Sequence, residues 1–434
     1  MSKFVRKSSI ALLLCFLFVF VAVAGSASSA DEPVEILWWW VFPETEERNE
    51  VSLYFDMYDD YNKEFGTNIQ MKYEFVPYPD YAGTKLMTAF AAGDGPDVIL
   101  LAPPFIPNYV NSGSLLPLTE YFTDEILADF SKGMVDIATM GGDIYTIPQR
   151  MDLLGLWYDA KLFEAEGVKV PETWDELISA AKALTTDDRY GITFRIASAD
   201  PGWSTFNFYP FVWAAGGDII DADAKKSLFD SEGVLSALQL YKDLADAGVV
   251  NIDPSRREDD LGIICDGETA MQITGSWECP TIDRYLSEGH DIDIRVIPFP
   301  VPQLGDNPAS CAGGWGLAVN SATKHPQEAV DVLMWAFAKE TKYSVELNTQ
   351  LGFAYSPRAS VVEIAGDAYR VGQRAVFTDQ IYGTEKFELR LPAEGLQYIA
   401  DAILDVLYGG DPAAAQAKAH EALQKWLDEF DGLI

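Results

Sequence analysis

Val98-Ile99-Leu100-Leu101 is apolar at every position, and Gly93-Asp94-Gly95-Pro96 breaks the chain just before it. A strand with no polar face must be covered on both sides, which calls for helices above and below a mainly parallel sheet. The upstream residues supply the other parts. Val34-Glu35-Ile36-Leu37-Trp38-Trp39 reads as a first buried strand, and Tyr54, Tyr58, Tyr61 and Phe65 then fall at helical spacing. Ile69, Met71, Tyr73 and Phe75 alternate with polar residues, the period of a strand with one covered face. A helix is expected around Tyr81 to Ala92. Strand, helix, strand, helix, strand is the opening of an α/β fold.

The alternation continues. Thr173-Trp174-Asp175-Glu176 is a capping box, predicted to open a helix that ends near Leu184. Val234, Leu238, Tyr241 and Ala245 mark another helix, and Ala329, Leu333 and Phe337 a third, while Ile292, Ile294 and Val296 alternate as a strand. The tail is helical on both sides of Gly409-Gly410-Asp411-Pro412. At 434 residues the chain should form two or three domains, at about 150 residues each. With no internal repeat and no low-complexity linker, two α/β lobes without a flexible tether are expected.

The balance of 31 Lys and Arg against 67 Asp and Glu gives a formal charge of −36. That field repels phosphate backbones and anionic lipid heads, so nucleic acid and membrane surfaces are poor partners. A neutral or cationic small ligand stays open. The N-terminus reads as a secretory signal peptide: Lys3, Arg6 and Lys7 are basic, residues 10–24 are almost wholly apolar, and small residues lead to cleavage after Ala30. Removing residues 1–30 takes away three cations and no acids, which moves the charge from −36 to −39. Leu14 precedes Cys15 where a lipoprotein signal needs a small residue, so a free exported protein, periplasmic or extracellular, is expected. Cys265, Cys279 and Cys311 follow, none with CxxC spacing. In an oxidising compartment one disulfide and one odd thiol is the natural count. Cys279–Cys311 is the favoured pair, with three buried thiols as the alternative.

Catalytic signatures are weak. The histidines His290, His325 and His420 stand in no H-E-x-x-H pattern, and no G-x-S-x-G, Walker or G-x-G-x-x-G run has a strand-turn-helix context. No cofactor or metal is implied. The excess lies in aromatics, with 11 Trp, 20 Tyr and 24 Phe, several at unusual places. A flat indole covers the C–H face of a sugar ring at low entropic cost. Carboxylates, amides and Arg then serve the hydroxyls. Trp40 stands near the carboxyl end of the first strand, where open α/β sheets bind ligands. Trp203, Trp277 and Trp315 sit in Gly-flanked turns, where ligand contact and plain packing explain an indole equally well. Trp174, Trp335 and Trp426 lie in helical patterns and are assigned to cores.

The chain resembles the extracellular solute-binding proteins of ABC sugar importers, of the maltose and multiple-sugar type. The resemblance rests on Gly93-Asp94-Gly95-Pro96-Asp97-Val98, Gly113-Ser114-Leu115-Leu116-Pro117-Leu118, and Ile144-Tyr145-Thr146-Ile147-Pro148 followed by Leu156-Trp157-Tyr158-Asp159. It continues through Gly167-Val168 with Pro171-Glu172-Thr173-Trp174, Ala214-Ala215-Gly216-Gly217, Gly267-Glu268-Thr269-Ala270-Met271, Gly275-Ser276-Trp277 and Gly313-Gly314-Trp315-Gly316. These elements span about residues 34–360 in the family's order. The resemblance implies a two-lobed periplasmic-binding-protein fold of type II, each lobe a mainly parallel sheet flanked by helices, joined by hinge crossovers. It places residues 31–150 with about 316–350 in the first lobe, and 151–315 with about 351–434 in the second. It implies no catalysis, but reversible binding of a carbohydrate by a monomer, and delivery to membrane permease subunits.

Carried over position by position, the resemblance implies ligand contacts from Asp152 at the first crossover, Trp277 in Gly-Ser-Trp and Trp315 at the second crossover. Trp203, Phe206 and Asn207 match an aromatic contact stretch, and Trp40 and Glu44 follow the first strand. Relatives often carry a polar residue after Leu100-Leu101, but Ala102-Pro103-Pro104-Phe105 stands here, so Phe105 is expected to supply surface. Tyr355 and Arg358 are expected at the rim. Two other readings stay open: a binding protein for a cationic solute or peptide, and a secreted glycosidase or lyase, which needs a positioned acid–base pair.

Overall fold

The computed structural model describes residues 32–42, 50–82, 84–196, 201–252 and 260–434; the expected signal peptide and Glu44 lie outside them. The strands among these residues are β1 (Val34–Trp40), β2 (Ile69–Phe75), β3 (Val98–Leu101), β4 (Thr139–Met140), β5 (Asp143–Ile144), β6 (Ile147–Asp159), β7 (Met271–Gly275), β8 (Ile294–Ile297), β9 (Ser310–Val319) and β10 (Glu385–Phe387). β2, β1 and β3 run parallel, with Trp38 between Tyr73 and Val98. β9 joins β3 antiparallel, and β6 in turn pairs antiparallel with β9.

β6 is buried along all but its last residue, because it belongs to two sheets. Its N-terminal half pairs with β9, and its C-terminal half leaves the first lobe to pair with β7 and β8. β9 returns: Ser310 to Ala312 pair with β10, and Gly316 to Val319 with β3. Parallel bridges Tyr190↔Thr269, Thr193↔Gln272 and Ile192↔Val250 extend the second sheet. Two α/β lobes thus share crossing strands.

The period of two along β6 sorts the core. Leu154, Leu156 and Tyr158 face one apolar cluster, packed by the helices Trp174–Leu184, Pro201–Ala214, Glu232–Asp246, Ala393–Leu407 and Pro412–Glu429. Met151, Leu153 and Trp157 belong to another, which fills the first lobe and continues along the opposite face of the second sheet. This division decides the cysteines. Cys311 lies in the former cluster and Cys279 in the latter, so the sheet stands between them; the expected Cys279–Cys311 bond is not formed and all three thiols are free. Burial pushes each thiol up, Cys265 to about 12.

Local signals act as read. Thr173 Oγ1 accepts from the Glu176 N–H at 3.3 Å, and Glu176 reaches back to the Glu172 N–H at 2.8 Å. Trp174, Trp335 and Trp426 are buried. No helix among the described residues is long and apolar enough to cross a membrane.

Candidate functional site

The parallel strands end at one place. β1 ends at Trp40 and β3 at Leu101, and the half-buried rings of Phe42 and Phe105 follow just beyond. From the second lobe, β7 ends at Gly275 and the next turn carries Trp277. Arg195 follows the bridge residue Thr193 in the same way. Carboxyl ends of parallel strands leave a crevice that side chains from the following loops can line. The helix Tyr78–Ala82, after β2, brings Tyr78, and the helix Pro201–Ala214 opens with Trp203.

These rings meet. Trp203 Nε1 donates to Tyr78 Oη at 3.1 Å, tying a second-lobe helix to a first-lobe helix. Tyr78 also lies 6.5 Å from both Phe105 and Trp315, centroid to centroid. Trp203 lies 5.9 Å from Trp277 and 6.0 Å from Phe206, and the Arg195 guanidinium sits 5.2 Å from its ring. Phe42 meets Trp315 edge-on at 5.2 Å. Trp203, Trp277 and Trp315 are each half-buried, so part of each indole stays open to solvent.

The crossing strands make the floor. Opposite residues in an antiparallel pair share a face, and Arg150↔Trp315, Asp152↔Gly313 and Leu154↔Gly275 are such pairs. The glycines answer to what lies over them. A Cβ on Gly275 would stand 1.9 Å from the Trp277 ring. A Cβ on Gly313 would stand 2.9 Å from the Phe206 ring and from Glu388 Oε1. Gly314, at φ 145°, passes within 2.1 Å of the Arg150 carbonyl where its Cβ would be.

Arg150 is committed to structure. Its guanidinium forms two 3.0 Å hydrogen bonds to Glu50 and sits 4.9 Å from the Phe42 ring. Burial works against its charge, but Glu50, Tyr54 and Asp152 outweigh that and hold its pKa above the usual range.

The ring cluster joins Phe105, Trp203, Phe206, Trp277 and Trp315 of the sequence-predicted set, with Asp152 on the strand pair beside it, opposite Gly313, although only Trp277 stands in a turn. Trp203 is helical and Trp315 lies within β9. Four residues do not belong. Trp40 is fully enclosed, 5.1 Å from the Tyr54 ring, because a parallel sheet is covered on both faces up to its last residue. Asn207 is buried and spends its amide on backbone, accepting from the Arg195 N–H and donating to the Trp203 carbonyl, both at 3.4 Å. Tyr355 stacks on Tyr369 at 5.1 Å and bonds Thr378 at 2.7 Å inside the core. Arg358 is 4% exposed, pairs with Asp129 at 2.8 Å and donates to the carbonyls of Phe337, Lys339 and Glu340.

Sequence reasoning missed Phe42, Tyr78, Arg195 and Glu388. The first three were within reach, since each lies one to three residues beyond a strand end. Glu388 follows a strand end too, but β10 is a three-residue strand that sequence reasoning did not find, and its pairing with β9 brings Glu388 in.

The family of bacterial extracellular solute-binding proteins matches residues 48–343. The chain belongs to that family. It is similar to a binding protein of Brucella abortus, 25% identical over 281 residues, a match covering 63% of this chain and 65% of that protein's length. It is also similar to the arabinooligosaccharide-binding protein of Halalkalibacterium halodurans, 25% identical over 314 residues, covering 70% of this chain and 68% of the other. Among solved structures, the tagatose-bound ABC transporter solute-binding protein of Thermotoga lettingae superposes with a TM-score of 0.77 at 24% identity, over 91% of this chain and 100% of that one. The GacH receptor of Streptomyces glaucescens, solved unliganded and with acarbose, gives 0.75 at 24% identity, over 92% and 100%. The fold is thus that of the two-lobed solute-binding proteins, and the aromatic cluster of this member of the family is closed by the Trp203–Tyr78 bond.

Proposed function

We propose that this solute-binding protein grips a neutral carbohydrate, an oligosaccharide rather than a monosaccharide, between its lobes and hands it to the membrane permease subunits of an ABC importer. It acts as an exported monomer freed of residues 1–30, and it binds without catalysis. The lobes are taken as residues 31–150 with about 316–350, and 151–315 with about 351–434. The observation that supports the reading is the convergence of half-buried rings from elements after the strand ends of both sheets, with Asp152 on the strand pair beside them. The arabinooligosaccharide-binding relative supports the same ligand class.

The mechanism is two-state closure. Sugar docks on one lobe, the other completes the site, and binding free energy shifts the open–closed population. Stacking contacts of ~1 kcal/mol each, with several charge-assisted hydrogen bonds, reach ~−8 kcal/mol, a micromolar affinity. A thermal-shift screen over mono- and oligosaccharides tests this. A sugar that raises the Tm in a concentration-dependent way supports it; a response to cations alone, lost with salt, replaces it with the cationic-solute reading. Trp277→Ala should weaken sugar binding at least ~10-fold while the Tm stays within about 2 °C. Collapse of the fold with affinity intact in the folded fraction makes Trp277 a packing residue instead.

A further inference from the structure

Glu388 follows β10, and its backbone N–H donates to the Ala312 carbonyl at 2.9 Å, which continues the β10–β9 ladder by one rung. That bond seats it beside Gly313. The Glu388 Oε1 atom and the Phe206 ring share the space a Gly313 Cβ would fill, each at 2.9 Å. Asp152 stands opposite Gly313 on the same face, so two acidic residues adjoin Gly313 beside the Phe206 ring.

The neighbours of Glu388 hold it there. The Phe387 ring lies 2.1 Å from where a Gly133 Cβ would be, in the first-lobe helix Lys132–Ala138. Arg390 donates to the Asp136 and Ile137 carbonyls at that helix's end, at 3.1 and 3.2 Å. The segment is thus anchored to both lobes, and half-buried Glu388 is fixed on the floor between them.

We propose that Glu388 is a specificity-determining ligand contact of this groove, accepting from hydroxyls of the sugar ring seated over Phe206, with Asp152 taking the adjacent hydroxyl. The proposal rests on the carbohydrate reading above. An ionised carboxylate only accepts, and ring hydroxyls donate to it in short, charge-assisted bonds. With Arg150 neutralised by Glu50, the pair also repels anionic sugars, so the site takes neutral glycosides and rejects uronates.

Calorimetric titration of maltotriose, arabinotriose, lactose and digalacturonate into the full-length mature protein tests it. Glu388→Gln, equal in size, should weaken the tightest neutral binder by about 10-fold or more. It should also narrow the gap between that sugar and digalacturonate, at an unchanged Tm. Glu385→Gln, on the same strand but bonded to the Gly383 N–H, should leave affinity unchanged. A Glu388→Gln protein within twofold of wild type for every sugar overturns the assignment alone. A wild-type protein that binds none of the four overturns the carbohydrate reading, and Glu388 with it.

Discussion

Gly275 lacks a methyl group that Trp277 needs it to lack. With a Cβ 1.9 Å from the indole, Gly275→Ala cannot keep the ring in place. The Trp277 indole is half-buried, so it should swing into the groove at modest cost in stability. Sugar affinity should fall at least as far as in Trp277→Ala, and tryptophan fluorescence of the unliganded protein should change. Arg358 is the opposite case, a residue that resembled a rim contact and proves to be a staple. Arg358→Met strands the Asp129 carboxylate and the Phe337, Lys339 and Glu340 carbonyls. Denaturant unfolding should show a loss of about 3 kcal/mol, with affinity of the folded protein unchanged. The thiols follow from burial: a thiol reagent should leave Cys279 and Cys311 unlabelled in native protein and label all three after unfolding.

Elements were legible in proportion to their amphipathic period. The helix Glu50–Phe65 buries Tyr54, Tyr58 and Tyr61 as the spacing requires but leaves Phe65, in its last turn, 51% exposed, and Trp38 Nε1 donates to Tyr58 at 2.9 Å. β2 departs from its pattern: Ile69 and Met71 are buried, but Tyr73 and Phe75 are 43% and 45% exposed. Alternation reports which residues share a face, not whether anything covers it, and β2 is the sheet's edge. Between elements, Asp60 on that helix accepts from Lys342 at 2.8 Å and Tyr343 at 3.0 Å on the helix Lys342–Thr349. These bonds draw its pKa down from the ordinary 3.8 to about 2. A carboxylate held low in the folded state stabilises above its unfolded pKa and loses that contribution as pH falls through the folded one. Asp60→Asn should therefore reduce stability near pH 6 and flatten the acid limb between about pH 4 and 2. Solvent keeps the effect under about 1 kcal/mol. Equilibrium unfolding against pH reads it; parallel acid limbs for mutant and wild type reject it.

Besides the shared strands, the lobes meet through the Trp203–Tyr78 bond, through Arg390 on the carbonyls of Asp136 and Ile137, and through Asn111 with the Leu433 backbone. The Trp203–Tyr78 bond, between two side chains, can open without breaking a sheet. Tyr78→Phe removes that bond and leaves the stacking surface. The unliganded protein should then show a larger radius of gyration by X-ray scattering, and sugar should restore the wild-type value. Identical radii with and without sugar in both proteins would reject closure. Ligand at 100 times Kd should add about 2.7 kcal/mol of stability.

Apolar runs, turn glycines and capping residues settled the fold class, the order of elements and the Trp-bearing motifs, because those depend on neighbours within a few residues. The groove's membership did not follow from them. Whether Trp40 is enclosed while Trp315 is half-open, whether Arg358 meets solvent or carbonyls, and why Glu388 lies beside Gly313 all depend on which other elements pack against them. Exposure is a property of what packs against a residue. In this chain the partners at the groove come from both lobes, and only the crossing strands bring them together.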